Sequence, residues 1–277
     1  MSLGVEAERN EALVAWYATL DDRDFPWRGE RDPYRVLVSE VMLQQTQAPR
    51  VVEPYLRFLE RFPTVEALAE ASLGEVLEAW SGLGYNLRAR RLRDAARRIV
   101  AEGWPTTAEG LRSLPGLGPY TAAAVACFAF GERVPAVDTN LRRVLSRWHG
   151  TPLSGSALRA TAEACLGDDA AIWNQAMMAL GASVCRPHRP RCGECPVADW
   201  CSGPDGYEPP RPQPRFEGSF RQLRGAIVRA VVTGPQTVEA LRRITGFAVE
   251  DVVDAVEDLR EEGLVERTPE GAYRIAD

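Results

Sequence analysis

The first 200 residues alternate between segments with a helical pattern and short joints that contain proline or glycine. Apolar residues recur three and four positions apart, which places them on one face of an α-helix. The pattern covers Glu11–Leu20, Tyr34–Gln45, Val51–Arg61, Leu73–Trp80, Leu87–Val100, Thr121–Phe130 and Asn140–Trp148. No segment here alternates as a strand would. The pattern predicts a mainly α fold with short connections.

The pattern changes after residue 201. Residues 202–218 contain five prolines and three glycines, which is typical of an extended linker. Three helical segments follow, and then two strand-like runs around a turn at residues 269–271. These are Phe220–Val232, Val238–Ile244, Val249–Glu262, Leu264–Thr268 and Ala272–Ile275. We therefore expect a main domain over residues 1–201, a Pro-rich linker over 202–218 and a small domain over 219–277 that resembles a winged helix.

Charge and composition narrow the possible chemistry. The net charge of −6 argues mildly against a nucleic-acid partner, but phosphate binding depends on local patches. One such patch, which could equally be a solvated helix face, contains Arg88, Arg90, Arg91, Arg93, Arg97 and Arg98. All 33 basic residues are arginine, which excludes a mechanism that needs a lysine amine. No apolar run could span a membrane and no export signal opens the chain, so we expect a cytoplasmic protein.

Four of the six cysteines form the pattern Cys185-x6-Cys192-x2-Cys195-x5-Cys201. Thiols at this density in a cytoplasmic protein indicate a metal site, because disulfides are disfavoured there. A zinc ion with four cysteine ligands is one possibility. An iron–sulfur cubane accepts unequal gaps within one compact loop, and the spacing favours it.

Three further features are candidates for chemistry. In the segment Leu114–Tyr120, Gly116 and Gly118 allow close backbone approach, and the helix that follows could present its free N–H groups to a phosphate. The alternative is a plain joint between helices. Glu40 lies in an apolar helical segment, where burial would raise its pKa and suit a general acid, although a surface position is the simpler interpretation. Asp138 precedes a helix, either as an N-cap or facing a developing cation.

Together these residues resemble the helix–hairpin–helix DNA glycosylases, in particular the adenine glycosylases of the MutY type, over about residues 11–201. Seven motifs in the expected order carry the resemblance. They are Pro26-Trp27-Arg28, Ser39–Thr46, Gly82–Tyr85, Leu114–Tyr120, Val137–Asn140, Asn174–Met178 and the cysteine loop, residues 185–201.

The resemblance implies a monofunctional enzyme that removes adenine mispaired with 8-oxoguanine or guanine, carries a [4Fe-4S] cluster and acts as a monomer on nucleoid DNA. Glu40 would protonate the leaving adenine, and Asp138 would stabilise the cationic sugar or attack it. Tyr120 and Asn140 would support this step. Gln45 and Tyr85 would wedge into the duplex from which the base is flipped. The remaining DNA- or base-binding positions would be Trp27, Arg28, Gln175, Gly116 and Gly118, and the cluster ligands would be Cys185, Cys192, Cys195 and Cys201.

The sequence departs from the family pattern in two places. Asn86 follows Tyr85 where a second tyrosine is common. Residues 219–277 stand where the family usually has a domain that resembles a nucleotide-pool hydrolase and reads 8-oxoguanine, so we expect this tail to serve packing or a protein partner. Two alternatives remain. One is a thymine or uracil mismatch glycosylase of the same fold, and the other is a transcription regulator with an iron–sulfur cluster.

Overall fold

The computed structural model describes residues 3–20, 25–209 and 214–276. The described chain is mainly α-helical, as predicted, with one β-hairpin near its C-terminal end. The helices of the main part are α1 Leu3–Ala18, α2 Pro33–Leu43, α3 Ala48–Arg61, α4 Val65–Glu70, α5 Leu73–Ala79, α6 Leu87–Glu102, α7 Ala108–Leu111, α8 Pro119–Phe130, α9 Thr139–Trp148, α10 Gly155–Cys165 and α11 Ala170–Ser183. None of the described helices is long and apolar enough to cross a membrane.

All seven helices predicted in the main part are present. Their ends are displaced by only a few residues, except that α1 begins at Leu3 instead of Glu11. Four helices were missed, namely α4, α7, α10 and α11. Two of them, α4 and α7, have six and four residues and are too short to show a period. In α11 apolar residues such as Ile172 and Met178 also lie outside the buried face, so the apolar pattern marks no single face.

The described residues pack into two units, each assembled from separate stretches of chain. The first takes in residues among 1–37, 105–113 and 117–211. Its core surrounds the buried side chains of Trp173, Met177 and Leu141. Here the guanidinium of Arg9, which is fully buried, lies 4.1 Å from the centre of the Trp148 ring.

The second unit takes in residues among 38–104, 114–116 and 212–277. Its core contains Phe58 and Trp80, whose rings meet edge to face at 5.9 Å. Local sequence fixes the helix starts: Ser72 and Glu75 form a reciprocal capping box on α5, and Thr64 caps α4. Each unit combines distant stretches of the chain. The domain boundaries expected from the sequence, 1–201, 202–218 and 219–277, remain predictions.

The C-terminal segment consists of three helices followed by a hairpin, in the order that the sequence predicts. These elements are α12 Phe220–Val232, α13 Val238–Thr245, α14 Val249–Glu261, β1 Val265–Arg267 and β2 Tyr273–Ile275. The strands are antiparallel, with Val265 opposite Ile275, and Gln236 adds an isolated bridge to Tyr273. A third short extended piece beside the hairpin is typical of a winged helix.

The predicted linker is not extended throughout. Residues 204–206 form a 3-10 turn, and Arg147 of α9 donates a hydrogen bond to the carbonyl of Pro204 at 3.1 Å. Gly206 packs so closely on α9 that a Cβ would lie 2.5 Å from the carbonyl oxygen of Ser146. Residues 202–207 therefore belong structurally to the first unit. Part of the predicted linker, residues 210–213, lies outside the described residues.

Candidate active site and cysteine loop

Glu40 is a buried carboxylate in the last two turns of α2, with a relative exposure of 6 %. The same helix buries Leu37 and Val41 beside it in the sequence, and Ser39 is also buried. This excludes the interpretation of Glu40 as a surface residue of an amphipathic helix. Burial excludes most water from this carboxyl group, which is a common setting for a general acid.

Asp138 is the N-cap of α9, and its side chain is held by two short hydrogen bonds. Its Oδ1 accepts from the backbone N–H of Leu141 at 2.7 Å, and its Oδ2 accepts from the Asn140 amide at 2.7 Å. Burial raises the pKa of Asp138 above its ordinary value, while these hydrogen bonds act in the opposite direction. The structural and catalytic interpretations are compatible, because the cap fixes the orientation of the carboxylate.

Asn140 is held in turn by Arg143, a buried residue of the same helix. Arg143 donates to Asn140 Oδ1 at 2.7 Å and to the carbonyl of Cys185 at 2.6 Å. It also donates to the carbonyl of Gly181 at 2.7 Å, where α11 passes close to Asn140. One side chain therefore connects the partner of Asp138 with the start of the cysteine loop.

The four loop cysteines line one cavity of about 110 Å³. None of them is in a disulfide. Arg147, which is buried, donates to Cys185 Sγ at 3.3 Å and to the carbonyl of Arg186 at 2.7 Å. Burial raises the pKa of the Cys195 thiol to about 11, so a thiolate there requires a compensating cation.

The donor set, four thiol groups around one cavity, suits an iron–sulfur cluster. In the part of the chain that the structure describes, no three His, Cys, Asp or Glu side chains are grouped so that they could hold one metal ion. Tetrahedral zinc at its usual bond length would draw four sulfurs to within about 3.8 Å of one another. A cubane cluster separates its ligands further, and four cysteines around a shared cavity match that requirement.

The two predicted wedge residues, Gln45 and Tyr85, share an uncommon backbone conformation. Their φ angles are 55° and 48°, in the left-handed region that residues other than glycine seldom occupy. Tyr85 is also one of the exposed large side chains, at 40 %. Such strain persists only where the surroundings impose it, and it concentrates at functional positions.

Arg88 supplies that constraint on both turns. It donates to the carbonyls of Val41, Met42 and Gln44 on one side. On the other side it donates to the carbonyls of Leu83 and Gly84, at 3.2 and 3.1 Å. Burial lowers the pKa of Arg88 to about 10, so the guanidinium stays charged at neutral pH.

The arginine patch of the sequence is therefore not one solvated face. Besides Arg88, Arg93 is buried, and Arg97 donates to the carbonyl of Ala69. The sequence analysis missed the roles of Arg88, Arg143 and Arg147. An arginine that donates hydrogen bonds to buried backbone carbonyls cannot be told from a surface arginine by sequence alone.

The segment Leu114–Tyr120 connects two helices as predicted, but the helix before it is α7, which the sequence pattern did not predict. Gly116 has a φ of 81°, and a Cβ there would lie 2.8 Å from the Cβ of Arg91, so the position requires glycine. Gly118 is the N-cap of α8 and has no side chain to cap the helix. Tyr120 follows in the first turn, half-buried, with its hydroxyl 3.9 Å from the sulfur of Met178.

The predicted walls of the base pocket lie in the first unit. Gln175 on α11 accepts a hydrogen bond from the Tyr17 hydroxyl at 2.9 Å. The Trp27 ring stacks on Phe25 with 5.2 Å between centres. Arg28 is half-buried, and its backbone N–H donates to the carbonyl of Phe25.

Comparisons with known proteins place this chain in a family. Residues 38–165 match the family described as HhH-GPD superfamily base excision DNA repair protein. An adenine DNA glycosylase of Mycobacterium tuberculosis is 40% identical over 95% of this chain and 92% of its own length. The human adenine DNA glycosylase is 43% identical over 69% of this chain and 38% of its own length.

Among solved structures, a thermostable thymine-DNA glycosylase is 31% identical with a TM-score of 0.68, over 74% of this chain and 98% of that one. This solved structure has a similar fold but is named for thymine. The assignment to adenine rests on the relatives found by sequence. This chain belongs to the adenine DNA glycosylase family, within the helix–hairpin–helix superfamily of base-excision repair proteins, and is a DNA N-glycosylase.

Proposed function

We propose that the enzyme hydrolyses the N-glycosidic bond of adenine mispaired with 8-oxoguanine or guanine in duplex DNA. The observation that carries this proposal is the presence of two carboxylates in unlike settings. Glu40 is buried in an apolar helix, and Asp138 is fixed by an N-cap and the Asn140 amide. Bond cleavage needs a proton on the departing base and a negative charge beside the electron-poor sugar.

In this mechanism Glu40 donates the proton to adenine and Asp138 stabilises the sugar cation. Asn140 fixes the orientation of Asp138, and Tyr120 supports the same step. Trp27, Arg28 and Gln175 enclose the flipped base, while Gly116 and Gly118 let the hairpin backbone approach a phosphate. Gln45 and Tyr85 fill the space in the duplex that the base has left.

Cys185, Cys192, Cys195 and Cys201 hold a [4Fe-4S] cluster in this proposal. The cluster would fix the fold of the loop, which carries Arg186, Arg189 and Arg191 for contact with DNA. Arg147 and Arg143 support the loop by donating to its carbonyls. We propose that the enzyme acts as a monomer on the DNA of the nucleoid.

A panel of duplexes tests the specificity. Adenine, thymine, uracil and hypoxanthine are each placed opposite guanine and opposite 8-oxoguanine, and free base is measured under single-turnover conditions. We expect adenine to leave fastest, and faster opposite 8-oxoguanine than opposite guanine. Faster release of thymine or uracil from a pair with guanine would instead support the mismatch glycosylase, and binding without release of any base would support a regulator.

A further inference from the structure

The C-terminal segment packs beside the turn that carries Tyr85. Arg221, in the first turn of α12, donates a hydrogen bond to the Tyr85 hydroxyl at 3.2 Å. It also donates to the carbonyl of Pro214 at 2.9 Å, which fixes the chain as it enters the helix. These residues and Tyr85 all belong to the second unit. The tail is therefore adjacent to a residue that the proposed function places inside the duplex.

The position of α12 is fixed by more than this one contact. Arg90 of α6 donates to the carbonyl of Glu262 at the end of α14. Gly263 approaches the same guanidinium, and a Cβ there would clash with Arg90. Within the tail, Arg224 of α12 pairs with Asp258 and Glu262. Arg221 is thus presented by a helix that is attached to α6 through α14.

The start of α12, which reaches Tyr85 through Arg221, carries exposed aromatic and basic residues. Phe216 and Phe220 flank the start of α12 and are exposed at 59 % and 41 %. The helix contains three arginines and no acidic residue, although Arg224 is paired with acidic residues of the tail and exposed Glu217 lies between the two phenylalanines. The opposite character is found on α14, which has six acidic residues and one arginine. Exposed aromatic rings beside arginine suit stacking and phosphate contact, whereas α14 would be repelled from DNA.

We propose that the start of α12, with Phe216, Phe220 and Arg221, extends the duplex-binding surface at Tyr85, and that Arg221 contacts a DNA phosphate next to the wedge. This inference rests on the proposed function, because it takes Tyr85 as the wedge. It gives the tail a role in DNA binding through its first helix, in place of the protein partner expected from the sequence. The third helix, which usually reads DNA in a winged helix, takes no part.

The salt dependence of binding tests the inference. Affinity for an adenine–8-oxoguanine duplex is measured from about 50 to 200 mM salt, the range over which phosphate contacts change affinity strongly. Every protein carries Glu40→Gln so that the duplex stays intact. Arg221→Ala is compared with Arg242→Ala, which removes the same charge from an exposed ion pair on α13. Thermal unfolding of each variant confirms that the fold is retained.

We expect Arg221→Ala to weaken binding about five- to tenfold at low salt and to reduce the slope of log affinity against log salt by about 1, the loss of one phosphate contact. Arg242→Ala should change neither quantity. Tyr85→Phe removes the hydroxyl that Arg221 contacts and keeps the ring, so its slope should equal that of the parent. Equal slopes for Arg221→Ala and Arg242→Ala would overturn the proposal.

A second result would also overturn it. If Tyr85→Phe reproduces the whole effect of Arg221→Ala, the arginine only positions the tyrosine. The proposed function is checked separately by adenine release from the enzyme without substitutions. A failure of that reaction refutes the proposed function, whereas normal release with unchanged salt slopes refutes the inference alone.

Discussion

Glu40 and Asp138 differ in what surrounds them, and this difference determines what each can do. Glu40 is buried in α2, and Leu37 and Val41 of the same helix are buried as well. Asp138 is tied to two N–H donors that favour its ionised form, although burial disfavours that form overall. A mechanism with one acid and one anion needs two carboxyl groups in unlike settings, and this pair provides them.

Replacing Glu40 by glutamine should abolish adenine release and preserve DNA binding. The amide keeps the size of the side chain but has no proton of suitable acidity to give. We expect the single-turnover rate to fall by on the order of 10²–10⁴, or further if no other acid reaches the base. Glu53→Gln on α3, an exposed position with a side-chain exposure of 79%, is the control and should keep the parent rate. Near-normal release by Glu40→Gln would remove this residue from the mechanism.

The substitution Asp138→Asn separates catalysis from stability. Asparagine is a good N-cap, so α9 should form and the melting temperature should not fall at neutral pH. The rate should still drop by on the order of 10² or more, because the charge beside the sugar is lost. A rate close to that of the parent would contradict the role of Asp138 as an anion.

The pH dependence of Asp138 follows from the direction of its pKa shift. Because the pKa is raised in the folded protein, the ionised form costs stability, and this cost disappears as the pH falls through the raised pKa. Activity needs the ionised form and should be lost over the same range, at a higher pH than for an ordinary aspartate. The stability of Asp138→Asn should vary less with pH than that of the parent, which denaturant titrations at several pH values would show.

At the scale of elements, Arg88 holds two turns together, and the turns carry Gln45 and Tyr85. Arg88→Lys keeps the charge, but a single ammonium group replaces the planar guanidinium and cannot donate hydrogen bonds to the carbonyls of both turns. We expect a loss of about 3 kcal/mol or more in the free energy of unfolding, because buried carbonyls lose their donors. Adenine release should fall as well, because the wedge turns relax. Arg98→Lys, on the same helix in an exposed ion pair with Glu102, is the control for both measurements.

The cysteine loop gives the second prediction at this scale. Purified protein should be yellow-brown, with broad visible absorbance and about four iron atoms per chain. Cys195→Ser should lose the colour and lower the thermal stability of the loop, whereas Cys127→Ser in the core should keep the colour. Elemental analysis that finds zinc and no iron would contradict the cluster.

The elements also show how far the sequence could predict the structure. Helices with one apolar face, such as α3 and α6, were predicted to within a few residues, and the glycines of the hairpin indicated its turn. The helix α11 was missed because its less buried side also carries apolar residues, such as Ile172, so no amphipathic pattern shows in the sequence. The left-handed backbone of Gln45 and Tyr85 gave no signal either, since neither residue favours that conformation and tertiary contacts from Arg88 impose it.

At the scale of the whole molecule, the most informative feature is which basic residues the chain contains. The chain contains no lysine, so its 33 basic side chains are all guanidinium groups. Glycosylases that also nick the strand attack the sugar carbon with an amine and form a Schiff base. In the members of this superfamily that the sequence resembles and that nick DNA, a lysine stands at the position of Tyr120. Arginine cannot replace it, because the guanidinium remains protonated and is not nucleophilic.

We therefore expect the reaction to stop at the abasic site. The products should be free adenine and an intact strand that breaks only after alkali or heat, and borohydride should trap no covalent complex between protein and DNA. Tyr120→Lys provides the matched comparison, because it introduces an amine at the hairpin and should yield a trapped adduct if the sugar lies within reach. If the enzyme without substitutions nicks the strand promptly and forms an adduct, the nucleophile must be a primary amine other than lysine. The N-terminal amine would then be the nucleophile.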